Sequence, residues 1–193
     1  APNVTPGYWR NQEETAKAFD EEGYYKTGDA VKFLDENYPD KGLVFDGRIA
    51  EDFKLSTGTW VNVGALKAKV LSYGSPIIQD VVLTGLDKEF VGAILFLNPE
   101  ACKKMVGLTM DTDNTEAFQN EAIIDFLNQW QQQFSKNSTG SSTNIKKYMI
   151  ALNPPSIDLG EITDKGSLNQ RAVLKYRKEL VDEIYNLENA NSK

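Results

Sequence analysis

The sequence predicts an α+β protein in which a small, mostly antiparallel sheet is flanked by helices and preceded by a β-rich stretch of another domain. Three observations carry this. Two apolar, β-branched runs at 77–84 and 90–97 are joined by Gly85-Leu86-Asp87-Lys88, the composition of paired strands and their connection. Between residues 116 and 134, Phe118, Ala122, Ile123, Phe126, Leu127, Trp130 and Phe134 recur at three- and four-residue intervals, the period of a helix with one buried face. The opening residues are β-rich but short of a core of their own, so domains are expected at 1–46, the end of a larger domain, and at 47–193, with a hinge near 47–54.

In chain order, residues 13–19 read as a short helix. Residues 30–34 and 43–46 read as a hairpin turned by Asp40-Lys41-Gly42. A loop carrying Lys54 leads to a strand around 60–63 and a helix over 65–73 that Gly74 ends as a C-cap. Asn98-Pro99-Glu100 starts another helix, with Asn as cap and Pro in the first turn. A third strand at 148–152 completes the sheet before Pro154-Pro155. The last helix runs over 168–187, with Ser167 and Gln170 matching a capping box and Gly166 freeing the backbone before it.

Composition excludes several function classes. The 193 residues contain no histidine, which removes Ser-His-Asp and Cys-His triads, imidazole proton shuttles and histidine metal sites. A net charge of −7, with lysines scattered among acids, argues against nucleic acid as a partner. No apolar run reaches the roughly 20 residues that cross a bilayer, so no membrane partner is expected and a cytoplasmic location is the default. Cys102, the lone cysteine, excludes a disulfide framework. Asp111-Thr112-Asp113-Asn114 begins like a calcium loop, but Glu116 and Ala122 stand where glycine and glutamate are needed; these acids are expected to cap the following helix, and no metal site is assigned. Ser138-Thr139-Gly140-Ser141-Ser142-Thr143 follows a helix and precedes a strand, the wrong order for a phosphate loop, and reads as a connector.

Three stretches carry chemistry. Tyr25-Lys26-Thr27-Gly28-Asp29 ends in an acceptor-only carboxylate able to take two hydroxyl donors. Gly47-Arg48-Ile49-Ala50-Glu51-Asp52-Phe53-Lys54 places two cations around a corner, and Gly160-Glu161-Ile162-Thr163-Asp164-Lys165-Gly166-Ser167 presents a lysine on a pinned loop, with Lys175 too deep in the helix to substitute. In this order they resemble the Tyr-(Arg/Lys)-Thr-Gly-Asp motif, the Gly-Arg-x-x-(Asp/Glu)-x-(Ile/Phe)-Lys junction and the C-terminal lysine loop of AMP-forming acyl-CoA synthetases, the adenylate-forming superfamily. The feruloyl-CoA synthetase branch is the most similar, through Lys54-Leu55-Ser56-Thr57-Gly58-Thr59-Trp60-Val61 and Pro154-Pro155-Ser156-Ile157-Asp158.

The resemblance implies that residues 1–46 end an adenylation domain and that the rest is a mobile lid domain. Carried over by position, Asp29 holds ribose hydroxyls, Arg48 adds a charged hydrogen bond to the same nucleotide, Lys165 acts in adenylation, and Lys54 and Gly58 belong to the thioester-forming face that contacts coenzyme A. Ala50 is the pivot, where the family often has Asp or Lys. Two further departures are an extra residue before Gly58 and Asp-Lys-Gly-Ser in place of the commoner Ser-Gly-Lys order. The implied substrates are ATP, coenzyme A and a carboxylic acid, an aromatic one such as a hydroxycinnamate by analogy, with Mg2+ held mainly by an N-terminal part not in this sequence. This fragment alone is expected to be inactive. Two alternatives stay open: a non-catalytic nucleotide-binding or interaction module, and an adenylating enzyme that delivers to a carrier-protein thiol. The oligomeric state is not legible.

Overall fold

The structure, a computed structural model, describes residues 2–186, and the chain separates into two compact units, Ala1–Ala50 and Glu51–Lys193. The division falls after Ala50 rather than before Gly47, because the strand that contains Gly47 and Arg48 is still paired within the first unit.

In the first unit, helix α1 (Gln12–Ala18) is capped by Asn11, whose side chain accepts from the Glu14 amide at 3.0 Å. Strands β1 (Asp29–Phe33) and β2 (Leu43–Arg48) form the expected hairpin, turned by a 3-10 segment, Pro39–Lys41, and Gly42 at φ 98°. Leu43, Phe45 and Ile49 are left exposed. An apolar surface of this kind wants cover.

The second unit opens with a two-stranded ribbon, β3 (Phe53–Lys54) and β4 (Trp60–Val61), followed by α2 (Val63–Gly74). The main sheet has the order β5 (Ile78–Thr84), β6 (Val91–Leu97), β7 (Ile145–Ile150). The first pair is antiparallel, as expected, but β7 runs parallel to β6. The connection permits this. Helices α3 (Pro99–Val106), α4 (Asn114–Phe118) and α5 (Glu121–Lys136) intervene, a crossover long enough for the chain to return in the same direction.

β6 is buried along its whole length, so both faces of the sheet are covered. Val91, Ala93, Leu95 and Leu97 join a core with Val70 of α2 and Ile123, Leu127, Trp130 and Phe134 of α5. Ile94 and Phe96 face the other way, into a second cluster with Val173 of α6 (Gln170–Tyr176) and Ile184 of α7 (Lys178–Asn186). The close approach of α7 needs Gly92: a Cβ there would stand 2.6 Å from Ile184 Cγ2. Gly92→Ala is expected to lower stability by about 1–3 kcal/mol through overpacking, measured by urea unfolding.

Several expected elements are corrected. The single helix at 116–134 is two, α4 and α5, because the Asn120 side chain accepts from the Ala122 amide and starts a new helix. The last helix is likewise two, broken at Arg177, and its expected end at 187 lies outside the described residues. Its cap is Asn169, which accepts from the Ala172 amide, not Ser167, whose hydroxyl pairs with Thr163 instead. The third strand begins at Ile145 and ends at Ile150, earlier than expected. Gly74 lies inside α2, with Ser75 as the C-cap; it is small because Ile78 packs 2.5 Å from where its Cβ would be.

Candidate active site

Asp29 and Arg48 are register partners across β1 and β2, with Arg48 Nε 3.7 Å from Asp29 Oδ1. The preceding turn is fixed by Gly28 at φ 75° and by Asp29 N–H donating to Thr27 Oγ1 at 3.2 Å. Both side chains are solvent-facing, so their mutual attraction adds little to stability. What the arrangement offers is a carboxylate with acceptor capacity to spare beside a guanidinium with donors to spare. Ala50 lies in the turn between the two compact units.

In the second unit Lys54 is set by strand alternation. Phe53, Leu55 and Val61 are buried, which turns Lys54 and its cross-strand partner Trp60 to solvent on the opposite face of the ribbon. A three-residue loop, 56–58, is closed where Leu55 N–H donates to Thr59 O at 2.9 Å and Gly58 N–H to Leu55 O at 2.9 Å. Gly58 supplies φ 87°, and a Cβ there would meet only Lys54 Cε, at an ordinary 3.9 Å, so its role here is conformational. The ribbon docks on the β5–β6 turn, with Asp87 N–H donating to Lys54 O at 3.1 Å and Ser56 N–H to Lys88 O at 2.9 Å.

Lys165 is presented by a loop of the same design. Thr163 N–H donates to Ser167 O at 2.8 Å, Gly166 N–H to Thr163 O at 2.8 Å, and Gly166 takes φ 80°. The two hydroxyls of Thr163 and Ser167, 2.8 Å apart, tie the strands below. Lys165 is therefore the exposed tip of a three-residue hairpin loop in a glycine-bulge geometry. Ile162 and Leu168 bridge beneath it. With Gly166, they line a cavity of about 280 Å³ closed by Gln79, Asp80 and Phe96.

The two lysines thus lie on separate hairpins of the second unit. Lys54 sits by the Asp87 turn, and Gly166, next to Lys165, shares a cavity with Gln79 and Asp80.

Sequence reasoning passed over the pair that supports the second loop. Glu161, 1 % exposed, receives Arg177 Nε on Oε1 at 2.9 Å and Arg177 Nη2 on Oε2 at 2.8 Å. Arg177 beside it, and the Ser156 amide, hold the Glu161 carboxyl below the usual carboxylate range against the opposing effect of burial. The only hint in the sequence is a glutamate directly before a β-branched residue in a glycine-bounded turn, too weak to single it out. Cys102 is fully buried and burial pushes its thiol up to about 11, so it is not a nucleophile. Asp113 caps α4 through the Thr115 amide at 2.7 Å, as expected. Among the described residues no helix is long and apolar enough to cross a membrane.

Over residues 51–189 the sequence matches the protein family described as AMP-binding enzyme C-terminal domain. It is similar to the long-chain-fatty-acid–[acyl-carrier-protein] ligase AEE15 of Arabidopsis thaliana, 24% identical over 190 residues that cover 95% of this chain and 24% of that protein. It is also similar to the long-chain-fatty-acid–CoA ligase FadD15 of Mycobacterium tuberculosis, 27% identical over 195 residues, 96% of this chain and 30% of that one. Among solved structures, the A domain of carboxylic acid reductase from Segniliparus rugosus, in complex with AMP and a co-purified carboxylic acid, superposes with a TM-score of 0.68 at 25% identity, over 95% of this chain and 27% of that chain. The chain therefore spans less than a third of the length of these relatives.

Proposed function

The chain belongs to the AMP-binding enzyme C-terminal domain family, and on that premise we propose that it is the C-terminal part of an ATP-dependent ligase that activates a carboxylic acid as acyl-AMP and passes the acyl group to coenzyme A. The observation that carries the reading is the placement of two exposed ammonium groups on separate hairpins of one packed domain, Lys54 on the β3 strand and Lys165 at a loop tip. The two half-reactions need cations at different moments. Adenylation brings a carboxylate against the α-phosphate of ATP, and a lysine there offsets the charge that builds on phosphate and departing pyrophosphate. Lys165 takes that role, and Lys54, with Gly58 shaping its loop, takes the thioester-forming role after the domain turns about Ala50.

In the first unit, Asp29 accepts from the ribose hydroxyls and Arg48 donates to the same nucleotide. Mg2+, which accompanies ATP, is assigned no residue of this chain. The exposed Leu43, Phe45 and Ile49 support a first unit that is the end of a larger domain. An aromatic acid of the hydroxycinnamate type is the proposed substrate class, on the likeness of the Lys54–Val61 and Pro154–Asp158 stretches to the feruloyl-CoA synthetase branch. A carrier-protein thiol in place of coenzyme A is the second reading, favoured by the similarity to an acyl-carrier-protein ligase.

The test uses the protein that joins this chain to its preceding domain. Lys165→Ala is expected to slow acyl-AMP formation about 10²–10³-fold while sparing thioester synthesis from supplied acyl-AMP. Lys54→Ala is expected to do the reverse. Equal losses in both half-reactions for either variant would overturn the assignment, and coenzyme A against a phosphopantetheinylated carrier as acceptor separates the two readings.

A further inference from the structure

The hairpin that carries Lys165 is held at its base by a buried side-chain pair, beside the packing of Leu168 on the second cluster. Both oxygens of Glu161, at the hairpin base, are taken by Arg177, and Oε2 also accepts the Ser156 amide at 2.7 Å. The Glu161 carbonyl accepts the Asn169 amide at 2.9 Å, closing the base. The same guanidinium reaches outward: Nη1 donates to the Asn153 carbonyl and Nη2 to the Pro154 carbonyl, each at 2.8 Å. Its centre lies 4.9 Å from the Phe96 ring centroid. Arg177 is free to do this because it stands at the break between α6 and α7, outside both helices. One side chain therefore joins the hairpin base, the 153–156 loop and the sheet.

A buried ion pair is a poor way to gain stability, since apolar residues of similar volume often serve as well. What a bidentate fork supplies that an apolar contact lacks is a fixed direction. We propose that Arg177 and Glu161 are the positioning residues for Lys165, setting the angle of its hairpin to the sheet so that the tip ammonium is held where adenylation needs it.

The proposal rests on the role given to Lys165 above. The tip lies four residues beyond the clamp, up to roughly 13 Å at about 3.3 Å per residue, so a small tilt at the base becomes an ångström or more at the ammonium. A displacement of about 1 Å is enough to cost around a hundredfold in rate. Neither Arg177 nor Glu161 contacts the Lys165 side chain, so the effect is mechanical and not a direct change of its charge environment.

The test is again made in the full protein, with Arg177→Lys, which keeps the cation but loses the fork, and Glu161→Gln, which keeps the shape but loses the charge. Arg177→Lys is expected to lower kcat for acyl-AMP formation about a hundredfold, with the KM for ATP within about twofold and thioester synthesis from supplied acyl-AMP unchanged. In a Lys165→Ala background the same substitution is expected to add less than about twofold, because no ammonium remains to be placed. Equal slowing of both half-reactions, or an undiminished adenylation rate in the folded variant, would overturn the proposal. Should Arg177→Lys not fold, Glu161→Gln is read by the same criteria. If Lys165→Ala itself leaves acyl-AMP formation intact, the role of that lysine fails; if it abolishes the step and Arg177→Lys does not slow it, the clamp alone fails.

Discussion

Arg177→Met is expected to lower the unfolding free energy by about 3–5 kcal/mol, because it leaves the Glu161 carboxylate buried without its counter-charge. Urea unfolding at neutral pH measures it. The loss comes from the stranded carboxylate, because the Asn153 and Pro154 carbonyls, which also lose their donors, are exposed and rehydrate. A double variant, Glu161→Leu with Arg177→Met, recovers only part of it: the charge penalty goes, but the part-buried Ser156 amide loses its acceptor. The pH profile gives a second readout. With its folded value depressed by Arg177, Glu161 in the native protein contributes stability that is complete above its unfolded value of about 4.3 and is lost as pH falls through the folded value. In Arg177→Met the buried carboxyl is raised instead, so protonation relieves it and that variant gains stability as pH falls from neutrality. Opposite slopes on the acid side are the signature; parallel slopes would show that the two groups do not interact.

Phe134→Ala is expected to cost about 3–5 kcal/mol, the largest effect anticipated from the apolar core. The ring is fully buried near the end of α5, edge-on to Tyr73 at 5.9 Å and 80°, and 5.6 Å from Trp130. Lys69 of α2 places its ammonium 4.9 Å from the same ring. Truncation opens a cavity between α2 and α5 that neither helix can close without giving up its packing on the sheet. Calorimetry should show a fall in Tm of roughly 6–20 °C. A fall of only a degree or two would mean that this core repacks freely.

These two residues mark the limits of what the sequence makes legible. Phe134 belongs to a periodic series, and Ile123, Leu127 and Trp130 of that series are buried with it, because helical spacing is a local property. The same periodicity ran across the α4–α5 break, since Asn120 caps a new helix without disturbing the count of apolar positions. Strands β5 and β6 were readable to within a residue of their ends, whereas the direction of β7 is set by how the intervening helices pack and by nothing within the strand. The Ser167 capping box failed because a hairpin claimed the hydroxyl first. The local placement of the motif residues was legible because each lies in a short contiguous motif: the structure sets Asp29 opposite Arg48 and exposes Lys54 and Lys165. Arg177 and Glu161 are sixteen residues apart in sequence, and only folding brings the fork to the carboxylate.

The burial of β6 on both faces has a consequence for how such a domain changes tasks. A strand with helices packed against either side is a slab as incompressible as an organic crystal, and it does not bend to relay a signal from one rim to the other. On the function proposed above, a change of task is then a change of orientation of the whole body, like a two-ended tool reversed in the hand.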